Sequence, residues 1–227
     1  MSANPTPELY WISGSPPSWR VMLGLTLKGI PFVSSRLDHG AGENRTDAYL
    51  AINPKGQVPT LVHGTLNLRE SIAILAYLDR AWPKRPLFGE TAALAAAIWQ
   101  DVMVFEADLR PAATVIASTL LRNSARDRAE ELAAAIGAFL QALDEIAVRL
   151  DSAEFLGPGG PSASDCWLFP TLAWIDRALA VTKKTPPDAL RNHTANRPAL
   201  ARWRGRFEAL RGVPDTFPPH WAETPAP

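Results

Sequence analysis

The 227-residue sequence has a single cysteine, Cys166, so no disulfide can close within the chain. No Lys or Arg precedes Arg20, and the basic start of a secretory signal is therefore missing. Together these absences give the expectation of a reducing, cytoplasmic location. Long apolar runs are missing too: Ile72 to Leu78 and Ala92 to Trp99 fall far short of the roughly 18 residues that a spanning helix needs, so no membrane partner is expected. Charge of one sign is not in excess, since 23 basic side chains balance 23 acidic ones. A neutral chain has no general attraction for nucleic acid, which is likewise not expected as a partner. Four scattered histidines and one cysteine offer no C-x-x-C or H-E-x-x-H spacing, so no metal is expected, and no Gly-rich phosphate loop occurs. Chemistry must then rest on ordinary side chains or on a recruited small molecule.

What is present is enough apolar chain to fold: 47% of residues are hydrophobic against 20% charged, and the length suits two modest domains. Leu9 to Ile12 reads as a strand, Pro16 to Gly29 as a helix and Pro31 to Leu37 as a second strand. Asn44 to Ile52 is weakly helical. Thr60 to Val62 and Leu66 to Leu68 flank His63-Gly64-Thr65 as a tight hairpin, and Ile72 to Arg80 is a helix. The order β-α-β-α-β-β-α predicts an α+β, thioredoxin-like domain over residues 1–82: a four-stranded mixed sheet with helices on both faces. Tyr10 and Trp11 are expected to pack on the sheet, and His39 and His63 have no evident partner.

Two prolines and a glycine between Trp82 and Gly89 break the pattern, giving a linker over 83–91, and an all-helical domain is expected over 92–227. Leu94, Ile98, Val102, Phe105 and Leu109, and then Leu132, Ile136, Phe139, Leu143, Ile146 and Leu150, recur at helical spacing. They predict two long neighbouring helices, the first bent by Pro111. Ser162-Ala163-Ser164-Asp165 has the spacing of a capping box opening a helix over about 163–180. Cys166 on that helix should pack as a small apolar side chain. Arg197 to Leu210 supplies a last helix, whose arginines form a solvated face opposite Trp203, Phe207 and Leu210. The Pro-rich tail from Pro214 is expected to be extended.

Three stretches can carry chemistry. Ser15, between a strand and the helix opened by Pro16, sits beside unpaired N–H groups and the positive end of a helix dipole, where a thiolate is stabilised; a plain helix cap is the alternative. Pro59 pushes Val58 into an extended conformation from which its backbone can pair with a peptide-like ligand, or else it merely starts an edge strand. Glu70-Ser71 opens a helix that suits a zwitterionic head group, carboxylate at the helix start and ammonium at Glu70; capping again is the alternative.

The stretches form an ordered set: S-x-x-x-W-R, L-x-L-K-G-I-P-F, N-P-x-G-Q-V-P-T-L and E-S-x-A-I-x-x-Y-L, followed by G-G-P-S-A-S-D-C-W-L-F-P and R-P-A-L-A-R-W. The set resembles the soluble glutathione transferase superfamily over roughly residues 8–212, and the serine-type zeta class most nearly. The resemblance implies glutathione as cosubstrate, with Ser15 bonded to its sulfur, Val58 beside a cis Pro59 pairing with its cysteinyl backbone, and Glu70 and Ser71 at its γ-glutamyl end. Lys55 and Gln57 are weaker contacts, and Ser13 and Ser18 remain alternatives to Ser15. Pro16 and Pro17 replace the second serine and the cysteine of the zeta pattern, removing local cysteine chemistry. The implied activity is glutathione transfer to a small electrophile, by a homodimer whose helical domain forms the second-substrate wall. Arg177 is the candidate there for a substrate carboxylate. A glutathione-dependent isomerase of a maleyl-type dicarboxylate and a non-catalytic binding or regulatory module are the alternatives.

Overall fold

A computed structural model describes residues 5–122, 128–183 and 185–222. The chain divides into two compact units, the first formed by residues up to Leu87 together with the segment from Arg211, the second by the residues between.

In the first unit, β1 (Glu8–Trp11), α1 (Pro16–Lys28), β2 (Val33–Arg36), α2 (Asp47–Ile52), β3 (Thr60–His63), β4 (Leu66–Arg69) and α3 (Ser71–Ala81) follow in that order. The strands lie in the order β2-β1-β3-β4, with β1 parallel to β2 and antiparallel to β3. This is the thioredoxin-like arrangement expected. Period-2 alternation decides which helix covers which face. Leu9 and its register partner Leu61 are fully buried with the apolar side chains of α1 and α3, while Tyr10 and its partner Thr60 turn to α2, where Tyr49 meets both. Gly24 lets α1 and α3 approach closely, because a Cβ there would overlap the Leu75 side chain. The hairpin loop is one residue tighter than expected: His63 stays in β3 and pairs with Leu66. Its ring is not partnerless either, bonding Tyr77 Oη and the Pro5 carbonyl. At the end of α1, buried Lys28 donates to Asp79 and to the Lys84 and Arg85 carbonyls, fastening the chain that leaves α3.

The second unit is helical: α4 (Ala92–Val104), α5 (Arg110–Leu121), α6 (Ala129–Leu150), α7 (Ala163–Val181) and α8 (Pro198–Glu208). The first of the two expected long helices is not merely bent. It is interrupted by a π turn over Phe105–Leu109, which absorbs the hydrogen bond that Pro111 cannot donate. The neighbour relation changes with it, for α6 packs along α5 while α4 packs against α7. The capping box is present as expected, and Asp165 is fully buried. Its carboxylate accepts from the Leu156 and Ser162 N–H groups, the Ser162 hydroxyl and Trp203 Nε1 at 2.7–2.9 Å, and from the Gly157 N–H at 3.3 Å. Two of the arginines expected to be solvated are not: Arg197, just before α8, bonds the His193 and Leu140 carbonyls, and Arg204 pairs with Asp176.

The C-terminal segment departs most from expectation. It is not extended and does not join the helical unit: a 3-10 turn (Pro214–Thr216) and a short helical turn, α9 (Pro219–Ala222), return it to the first unit, where Val213 is fully buried. The cause lies in its side chains, because Phe217 and Trp221 both pack edge-on against Trp19 of α1.

Candidate active site

The sheet register assembles the candidate site. Tyr10 lies opposite Thr60, and Thr60 opposite Arg69, so the end of β1, the start of β3 and the end of β4 share one edge. The loop leading to Ser15 leaves that edge, the loop ending in Val58-Pro59 enters it, and Glu70-Ser71 leaves it. Segments more than fifty residues apart in the chain are thereby brought to one end of three adjacent strands.

Ser15 is the N-cap of α1, as its position before Pro16 requires. Its Oγ accepts from the Ser18 N–H at 3.4 Å and from the Ser18 hydroxyl at 3.2 Å. In those bonds Ser15 only accepts, so its own proton is left to donate outward, at the positive end of a 13-residue helix. Capping and thiol binding are therefore not exclusive here. The other two candidate serines are committed elsewhere: Ser18 is buried beneath Ser15, and Ser13 Oγ is 2.7 Å from His220 Nδ1.

The approach to Val58 is held by side chains aimed at backbone carbonyls. Asn44 Nδ2 donates to the Gly56 carbonyl, Tyr49 Oη and Asn53 Nδ2 both donate to the Gln57 carbonyl, and Arg45 donates to that of Lys55. Burial pushes the Tyr49 phenol above its ordinary value, with its bonds to Thr60 and Asn53 opposing this, so the donor stays neutral. Val58, half-buried beside a cis Pro59, makes no backbone hydrogen bond among the described residues. Gln57 itself is exposed. Asn44 and Tyr49 went unread in the sequence; Asn53 stood inside the motif that identified the loop, but its role as a brace was not foreseen.

Glu70 holds a backbone conformation rare outside glycine, φ 66° and ψ 113°, and makes no side-chain cap on α3. Capping therefore does not explain this residue, and a strained position is one that surrounding structure must hold in place. Its carboxylate lies beside Lys55 instead, while the Ser71 hydroxyl takes no hydrogen bond among the described residues. Arg177 is on α7, in the other unit, and is half-buried. Cys166 is fully buried, and burial, with the Asp165 charge second, pushes its thiol well above the ordinary range, leaving it inert. Among the described residues no group of His, Cys, Asp and Glu is placed to hold a metal ion, and no helix is long and apolar enough to cross a membrane.

A mixed-sheet unit with a serine capping the helix that follows its first strand, joined in one chain to an all-helical unit, is an architecture that comparison with known proteins makes specific. Residues 14–81 match the family model of the glutathione S-transferase N-terminal domain, and residues 129–210 that of its C-terminal domain. The maleylacetoacetate isomerase of Pseudomonas aeruginosa is 30% identical over 175 residues, 75% of this chain and 82% of that protein. Glutathione S-transferase 1 of Dianthus caryophyllus is 36% identical over 104 residues, 46% of this chain. The chain spans about half the length of that relative and of several others, 45 to 48%. A crystal structure of a glutathione S-transferase from the Antarctic clam Laternula elliptica superposes with a TM-score of 0.81 at 25% identity, covering 98% of this chain and 97% of that one. The chain belongs to the glutathione S-transferase family. Its relatives include zeta-class members, in keeping with the serine-type motif around Ser15.

Proposed function

We propose that this protein is a glutathione transferase that activates the thiol of glutathione at Ser15 and directs it to a small electrophile. The observation that carries the reading is the state of the Ser15 hydroxyl, which accepts twice from Ser18 and keeps its own proton for a partner at the N-terminus of α1. A cysteine thiol has an ordinary pKa near 8.5 and is mostly protonated at pH 7; a donated hydrogen bond and a helix N-terminus both favour the thiolate. Val58 offers its N–H and carbonyl to the cysteinyl backbone, flanked by Pro59. Glu70, Ser71 and the uncapped start of α3 receive the γ-glutamyl group, with Lys55 and Gln57 at the periphery. Bound glutathione supplies the sulfur nucleophile. The chain's own residues bind it, orient it and hold the hydroxyl proton toward it.

Isomerisation of a maleyl-type dicarboxylate is the second reading, favoured by the 30% identity to a maleylacetoacetate isomerase over most of that protein. In it Arg177 offers a planar fork to a substrate carboxylate. A cytoplasmic location is supported by the single buried cysteine. A homodimer is supported by the apolar face of α4, where Trp99 and Met103, one turn apart, are 37% and 58% exposed. The division of labour we infer follows residues 1–82, linker 83–91 and the helical residues beyond, with the C-terminal segment added to the first part.

Calorimetry with glutathione, followed by turnover on neutral aromatic halides and on maleyl-type acids, tests the reading. Micromolar to millimolar binding with turnover on either substrate supports it, and no heat of binding removes it. Light scattering tests the dimer, which a monomer at micromolar concentration contradicts.

A further inference from the structure

The loop that presents Ser15 is braced from a distance along the chain. Ser13 Oγ lies 2.7 Å from His220 Nδ1, a pair 207 positions apart. Next in the chain is Gly14, whose φ of +81° already favours glycine and whose added Cβ would meet His220 Cε1 at 2.9 Å and Trp221 Nε1 at 3.2 Å. The same segment is anchored on the first turns of α1: Trp19 Nε1 donates to Thr216 Oγ1 at 2.6 Å, and the Trp19 ring meets Phe217 and Trp221 edge-on at 4.9 and 5.6 Å between centroids. Residues on both sides of Ser15 in sequence, Ser13 and Trp19, are thus gripped by one segment, while Ser15 itself is left to face outward.

From this we infer that residues 211–222 form a strap that fixes the Ser13-Gly14-Ser15 loop, and that His220 is a positioning residue for Ser15. The inference rests on the reading of Ser15 as the partner of the thiol. A hydroxyl can lower a thiol pKa only if its oxygen and proton are held within a few tenths of an ångström of the productive place, and a helix N-cap preceded by a glycine has little intrinsic stiffness. The His220–Ser13 bond supplies stiffness on one side and the Trp19 contacts on the other. The strap contacts given above go to Ser13, Gly14 and Trp19, whereas Glu70 pairs with Lys55 and the Val58 loop is held by Asn44, Tyr49 and Asn53. Loss of the strap is therefore felt at the sulfur and not at the peptide.

The test uses the full chain with His220→Leu, His220→Asn, Ser13→Ala and the Ser13→Ala/His220→Leu double variant. His220→Leu should lower kcat about tenfold and raise the thiol pKa of bound glutathione, read from its ultraviolet thiolate absorbance, with glutathione Kd changed less than about twofold. His220→Asn, whose amide can stand near Nδ1, should recover most of both. Ser13→Ala breaks the same bond without touching the strap and should match His220→Leu, and the double variant should cost no more than either alone. Unchanged kcat and thiolate absorbance in His220→Leu, or additive losses in the double variant, overturn the inference while calorimetric binding to the parent protein keeps the transferase reading intact. Failure of the parent to bind glutathione removes both.

Discussion

Lys55 Nζ lies 2.9 Å from Glu70 Oε1, tying the loop before β3 to the start of α3. Both side chains are more than half exposed, 59% and 68%, so the pair is weak and exchangeable, worth about 1 kcal/mol at most by the measure of other surface ion pairs. An incoming ammonium can replace Lys55 at little cost. Glu70→Ala should therefore weaken glutathione binding about tenfold or more and Ser71→Ala several-fold, whereas Lys55→Ala should change it less than about threefold. Calorimetry separates the three. A loss at Lys55 as large as that at Glu70 would make the lysine a direct contact instead of a placeholder.

Ser15→Ala should reduce turnover by about 10- to 100-fold, the range spanned by one hydrogen bond to a charged group, with glutathione Kd little changed. The pH–rate profile should move to higher pH, because the thiolate loses its donor. An unaltered profile would hand the role to another group.

On α7, Arg177 is expected to favour acids. Arg177→Ala should cut the ratio of turnover on maleyl-type acids to turnover on neutral aromatic halides by about tenfold, since the guanidinium matches a carboxylate and nothing in a neutral halide. Parallel steady-state assays of one preparation check it.

The second unit should lose stability on acidification through His193. Burial, the larger cause, lowers its pKa from the ordinary 6.5 despite the Asp176 charge. The unfolded chain then binds a proton near pH 6.5 that the folded chain accepts only at lower pH, so this contribution is present above that value and fades as pH falls below it. Asp165, whose pKa burial raises, acts with the opposite sign, its contribution being lost as pH rises through the raised value. Melting temperatures of parent and His193→Gln across pH 5 to 8 isolate the histidine, and the variant should show the flatter curve.

Trp203→Phe keeps an aromatic ring of smaller size but removes one donor from a fully buried carboxylate and leaves a void beside it. The expected cost is about 2 kcal/mol, a fall in Tm of roughly 4 to 8 °C for a chain of this size. Asp165→Ala should cost more, because the N–H groups of Leu156, Gly157 and Ser162 then lose their acceptor together.

Local rules were enough to read most of the fold from the sequence. Pro16 after Ser15, the Asp165 capping box and the Gly64-Thr65 turn, placed to within one residue, each have a signature set by neighbours a few residues away. Ser15, Val58-Pro59 and Glu70-Ser71 stood out because each lies where a strand or helix must begin. What escaped depends on long-range packing. The aromatics Phe217 and Trp221, set among prolines, read as an extended tail because nothing nearby in sequence names Trp19 as their partner. Asn44 and Tyr49 act on carbonyls, and carbonyls carry no sequence signal. The π turn at Phe105–Leu109 follows from Pro111, but a bend and a bulge share that one cause.

The strap has a consequence for how the protein is made. Trp19 and Thr216 are 197 positions apart, so a ribosome releases one side of that contact long before the other. The sheet unit can begin to form early in synthesis, yet Gly14 and Trp19 stay uncovered until the helical unit has also been translated. A message cut short after α8 would yield a protein whose lesion lies at its beginning, in the loop bearing Ser15, and not at the missing end.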